Sequence, residues 1–210
     1  MNKEQLYVDG LELAKSWCHA NGFNMPEVKR LTKTDRLYHL ATCAYYRPET
    51  ISIMVEKCAH PGYGGRAWSW PGYAIDRTPY GVIQHELGHH VDYIDTKNSS
   101  STNPAIRFAF SFRIYSEEPP LTGYLGTDNS RATFYSEWFA EHFRLFVTNP
   151  DLSQKIAPKF NKNMRDYGFR SIITKPYEDV LIRYEPNERI CAQAAKKIQQ
   201  ACPPAQKQLL

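Results

Sequence analysis

At 210 residues, 42% hydrophobic and 23% charged, the chain has apolar material for one sizeable core and a polar surface to cover it. No apolar run reaches transmembrane length, and the opening stretch, Met1 to Gly10, lacks the apolar region of an export signal, so the expectation is a cytoplasmic protein with no membrane partner. The net charge of +4 is too small to announce a nucleic-acid binder by itself, and five scattered cysteines without a C-x-x-C exclude a zinc knuckle or a thioredoxin-type motif.

In chain order, residues 3–21 have the pattern of a helix that ends at Asn21-Gly22, followed by a connector containing Pro26. Short strands are expected at Tyr38–Tyr46, Ile51–Lys57 and Ala67–Ile75, the last two separated by the turn-forming Pro61–Gly65 stretch. Thr78 is a suitable N-cap and Pro79 a suitable first residue for the next helix. Along it, Ile83, Leu87, Val91 and Ile94 recur at spacings that make a core-facing stripe. The polar run Lys97–Asn103 reads as a loop, and Ala105–Tyr115 as a strand or short helix within a long insertion. Ser130–Val147 reads as a helix bounded by Asp128-Asn129-Ser130 and Asn149-Pro150, and Asn187–Ala201 as a closing helix.

The first of these helices to carry chemistry contains His85-Glu86-Leu87-Gly88-His89. Two histidines four apart stand one turn apart on one helix face, so both rings can reach one ion. Glu86, beside the first of them, is placed to hold and deprotonate a water activated by that ion. His85, Glu86 and His89 all lie off the apolar stripe, towards a cleft. His90 is expected beside the site or on the surface.

The Ser130–Val147 helix is apolar on nearly every side, with Phe134, Tyr135, Trp138, Phe139, Phe143, Leu145 and Phe146. Glu137 and Glu141 sit one turn apart inside this apolar surface, and would repel each other there unless something positive neutralised them. A dication held by Glu137, with Glu141 bonded to a ligand histidine, removes the conflict. The alternative is that both glutamates pair with arginines such as Arg144 or Arg131 on the solvent side. His142 is expected to pack within the aromatic helix.

The segment Glu137-Trp-Phe-Ala-Glu141-His-Phe-Arg-Leu145 resembles the E-F-F-A-E-A-F-R-L segment of the lethal factor family, in the glutamate-ligand (gluzincin) branch of the zincin metallopeptidases. The resemblance covers roughly residues 66–148 and implies one Zn2+ ion held by His85, His89 and Glu137, with Glu86 as general base and Glu141 as an outer residue. It implies an α+β fold: a small twisted sheet over the H-E-x-x-H helix and the second zinc-ligand helix. A tyrosine that steadies the oxyanion belongs to the pattern, and Tyr124 is the best match in this chain, although the surrounding stretch does not align cleanly. By the same resemblance, Ala67–Ile75 is the edge along which a protein or peptide substrate would lie, with Trp68, Trp70 and Tyr73 as side-chain contacts.

Taken together, the expectation is a single domain over residues 1–210: an N-terminal helical arm (1–35), a catalytic core (36–150) and a basic, mainly helical section (151–210). The expected activity is zinc-dependent peptide hydrolysis. Asp95 stands at the third-ligand offset of another zincin class, but Asp92 occupies the place where that class turns on a glycine. Gly126-Thr127-Asp128 is similar to an aspartate-ligand class but lacks its downstream tyrosine-glycine. Two further readings remain: a zincin-like module that binds without cleaving, and a protease acting on nucleic-acid-bound proteins. The last would use the 151–210 section, which holds 11 Lys+Arg against 6 Asp+Glu, although these charges are spread out as on an ordinary solvated face.

Overall fold

The first helix begins where Asn2 caps it, its side chain accepting the Gln5 N–H at 2.9 Å. This helix, α1 (Lys3–Asn21), ends as expected at Gly22, which takes the left-handed conformation (φ 73°) that favours glycine. A computed structural model describes residues 2–39, 42–60, 76–97, 118, 121 and 131–173, with only the backbone of 95–97, 131, 132 and 134. The expected segments 67–75 and 105–115 and the closing helix at 187–201 lie outside the described residues.

The strands are β1 (Glu27–Arg30), β2 (Ala44–Arg47) and β3 (Thr50–Ile53), in the sheet order β1-β3-β2. β2 and β3 form an antiparallel hairpin with Tyr46 opposite Ile51, and β1 joins β3 in parallel with Val28 beside Ile51. Two-residue reversal at Pro48-Glu49 closes the hairpin; Pro48 fixes the first φ and Glu49 takes φ 65°. Two expectations need correction here. The expected strands at Tyr38–Tyr46 and Ile51–Lys57 are shorter, with 3-10 turns at Arg36–His39 and Val55–Lys57. β1 falls in the segment read as a connector, because Glu27–Arg30 offers a single apolar residue and becomes a strand only through its parallel partner β3.

Four more helices follow: α2 (Pro79–Lys97), α3 (Arg131–Thr148), α4 (Pro150–Ile156) and α5 (Pro158–Asp166). Thr78 does precede α2, its carbonyl accepting the Val82 N–H at 2.9 Å while its own N–H donates to Asp76 Oδ1 at 2.8 Å. Asn149-Pro150, read as the end of a helix, is also the start of the next: the Asn149 side chain accepts the Leu152 N–H at 3.1 Å and Pro150 opens α4.

α2 is the hub of the described fold, touching α1, α3, β2 and β3. Its stripe residues Ile83, Leu87 and Val91 are fully buried, in one core with Leu6, Leu13 and Trp17 of α1, Ile51 and Ile53 of β3, and Phe139, Phe143 and Phe146 of α3. Trp17 meets Phe143 edge-to-face at 4.8 Å between ring centroids, which locks α1 to α3 across this core. The protein is therefore α+β among its described residues, and no helix there is long and apolar enough to cross a membrane.

Two glycines let α2 approach its neighbours. A Cβ on Gly88 would stand 2.9 Å from Ala140 Cα, so the motif's glycine admits a close approach of α3 to α2. A Cβ on Gly10 would stand 2.9 Å from Tyr80 Cα, and there the Gln84 amide donates to Gly10 O at 2.8 Å, tying α1 to α2.

Candidate metal centre

The close contact at Gly88 faces the two chemical segments towards each other. His85 and His89 project from α2, their rings 4.9 Å apart and nearly perpendicular. Glu137 projects from α3, and its Oε2 lies 3.0 Å from His85 Nε2 and 3.4 Å from His89 Nε2. Among the described residues, His85, His89 and Glu137 are the group able to hold a metal ion, with ligand atoms all within 4.8 Å of one another.

The other nitrogen of each ring fixes what the inner one can do. His85 Nδ1 faces Glu141 Oε1 at 2.9 Å, and a carboxylate only accepts, so the proton of this ring sits on Nδ1. His89 Nδ1 lies 3.0 Å from Ser136 Oγ, whose hydroxyl donates to Asp92 Oδ2 at 3.4 Å. With its proton spent on Asp92, the Ser136 oxygen accepts from His89, which places that ring's proton on Nδ1 as well. In the neutral rings that bind a metal, both Nε2 atoms then carry lone pairs directed at a carboxylate oxygen that carries its own. Such a donor set repels itself unless protons or a metal cation stand among the three atoms, and two imidazoles with one carboxylate match the ligand set of a three-residue zinc site.

The electrostatics agree. Burial disfavours a charged ring, yet the bonds to Glu137 and Glu141 outweigh it and raise the His85 pKa to about 10. His89 is also raised, against burial, chiefly by the Glu137 charge. Burial pushes the Glu137 carboxyl up, but the neighbouring imidazoles more than reverse this and hold it at about 2. The cluster thus favours positive charge at its centre.

Glu86, 6% exposed, follows His85 directly, and burial raises its pKa against the pull of the two histidines. That is the environment of a carboxylate more ready to accept a proton than an exposed one. Glu141 is buried and held well below the usual carboxylate range: burial works against this, and the charge of Arg144 and the bond to His85 prevail. Arg144 Nη2 lies 2.5 Å from Glu141 Oε2. The sequence offered metal or arginine as alternatives for these glutamates, and Glu141 has both a ligand histidine and an arginine. The arginine is not on a solvent side, since Arg144 and Glu141 are each 2% exposed.

Ser136 and Asp92 were not among the expected site residues, and Arg144 was expected only as a solvent-side partner of the glutamates. Two of them had a signal in spacing: Asp92 stands one turn beyond His89 and Arg144 one turn beyond Glu141. Ser136 had none, since its role depends on how α3 meets α2.

His90 and His142 are structural. His90 is 2% exposed rather than on the surface, bonded through Nδ1 to Tyr46 Oη and through Nε2 to Asn24 O, each at 3.0 Å. His142 is fully buried, its ring tilted against Trp138 at 4.2 Å between centroids, with Nδ1 2.8 Å from Trp138 O. Tyr124, Trp68, Trp70, Tyr73 and the side chain of Asp95 lie outside the described residues. No protein-family model matches this chain, and no curated protein matches it in sequence.

Proposed function

We propose that this chain is a zinc-dependent endopeptidase of the cytoplasm, hydrolysing peptide bonds in a protein or peptide substrate. The observation that supports this reading most is the convergence of His85 Nε2, His89 Nε2 and Glu137 Oε2, with both ring protons turned outward. Held by these three residues, zinc would polarise a scissile carbonyl and lower the pKa of a water towards neutrality. Glu86 would take the proton from that water and deliver it to the leaving amine, a role suited to a buried carboxyl whose pKa is raised. Glu141, itself anchored by Arg144, keeps His85 in its ligating tautomer; Ser136 and Asp92 do the same for His89. Tyr124 is assigned to the oxyanion, and Trp68, Trp70 and Tyr73 to the substrate, by resemblance to the gluzincins alone.

The reading is tested by incubating the zinc-loaded protein with a random peptide library and following cleavage by mass spectrometry, beside Glu86→Gln. Cleavage by the parent and none by a Glu86→Gln protein with the same zinc content would support it. A zinc-loaded parent that cleaves nothing would instead favour a zincin-like binding module.

A further inference from the structure

Away from the metal-ligand set, Cys43 and Cys58 are brought together from opposite ends of the β2–β3 hairpin. Both are anchored on Met54: its N–H donates to Cys43 O at 2.8 Å, and Cys58 Sγ lies 3.6 Å from its carbonyl oxygen. The 3-10 turn Val55–Lys57 folds the chain back after β3 and returns Cys58 to the start of β2. Met54 thus stands in contact with both residues, and both are free thiols.

Their environments differ in the way a reactive pair requires. Cys43 is half-buried and Cys58 is buried, so a small oxidant reaches Cys43 first. The bond from Cys58 lowers the Cys43 pKa against burial, while the same bond and burial together raise that of Cys58.

We propose that Cys43 and Cys58 are a modification site: a dithiol that closes to a reversible disulfide when a peroxide reaches Cys43. The Cys43 thiolate attacks one peroxide oxygen, forming an S–O bond as the O–O bond breaks, and the departing hydroxide leaves as water after protonation. Cys58 sulfur then attacks the Cys43 sulfenic acid. The S–S bond forms, the S–O bond breaks, and the hydroxyl leaves as water with the Cys58 proton. Two thiols lose two electrons and the peroxide is reduced to two waters; an external dithiol reverses the change. The site does not depend on the chain being a peptidase.

Hydrogen peroxide added to the native full-length protein, followed by alkylation of remaining thiols and peptide mapping, tests this directly. The expected result is a cross-linked peptide pair containing Cys43 and Cys58, lost on treatment with dithiothreitol. Cys18 is the internal control, since it is 1% exposed, its thiol pKa is pushed up to about 12 by burial, and it should stay alkylatable. In Cys58→Ala, Cys43 should instead advance to sulfinic acid. Cys43 and Cys58 both alkylated after peroxide, or Cys43 in sulfinic form in the parent, would overturn the proposal, and the parent map decides even if the variant fails to fold.

Discussion

His89 and His90 are consecutive residues of α2 that face different parts of the molecule. On the α3 side, His89 meets Glu137 with one nitrogen and Ser136 with the other, and acidic neighbours raise its pKa. On the sheet side, His90 is bonded to Tyr46 and Asn24, and burial lowers its pKa. The first environment directs a lone pair into a cluster that favours positive charge; the second satisfies both nitrogens with neutral groups and fixes the hairpin to the helix. One residue type therefore does two jobs, decided by whether the inner nitrogen has a partner that already satisfies it.

The difference is open to mutation. Glu137→Ala should reduce zinc affinity by more than the roughly 10–100-fold expected for an outer partner, whereas His90→Gln should leave zinc affinity unchanged; competition with a zinc-binding dye measures both. If Glu137→Ala binds zinc as tightly as the parent, Asp95 becomes the better third ligand. Arg144→Met strips the buried Glu141 of its cation and should cost about 3–5 kcal/mol of stability in denaturant unfolding. Gly88→Ala inserts a methyl group against Ala140 and should cost about 1–3 kcal/mol, with weaker zinc binding because α2 and α3 are pushed apart. Ser136→Ala removes the link between His89 and Asp92 and should weaken zinc binding by about tenfold, with His90→Gln as the control that does not.

The residues of the candidate site were legible because their chemistry is written in local spacing. His85 and His89 are one turn apart, and two carboxylates on an otherwise apolar helix require a positive partner wherever that helix is buried. The N-terminal helix was legible for the same reason, down to the glycine that ends it. What the sequence did not disclose depends on pairing between distant segments. Ser136 and Asp92 are 44 positions apart and meet because Gly88 admits Ala140. β1 is polar and short, and only β3 makes it a strand. α4 and α5 were obscured because Asn149-Pro150 was read only as the end of a helix, although proline at a first helical position, as at Pro150 and Pro158, starts one.

The most direct measurement is the metal content of the purified protein by elemental mass spectrometry, beside that of a His85→Ala/His89→Ala variant. One equivalent of zinc in the parent and none in the variant is the result expected from the convergence of His85, His89 and Glu137. A parent that takes up no zinc when zinc is supplied, or a variant that retains it, would contradict the assignment of this cluster as a metal centre.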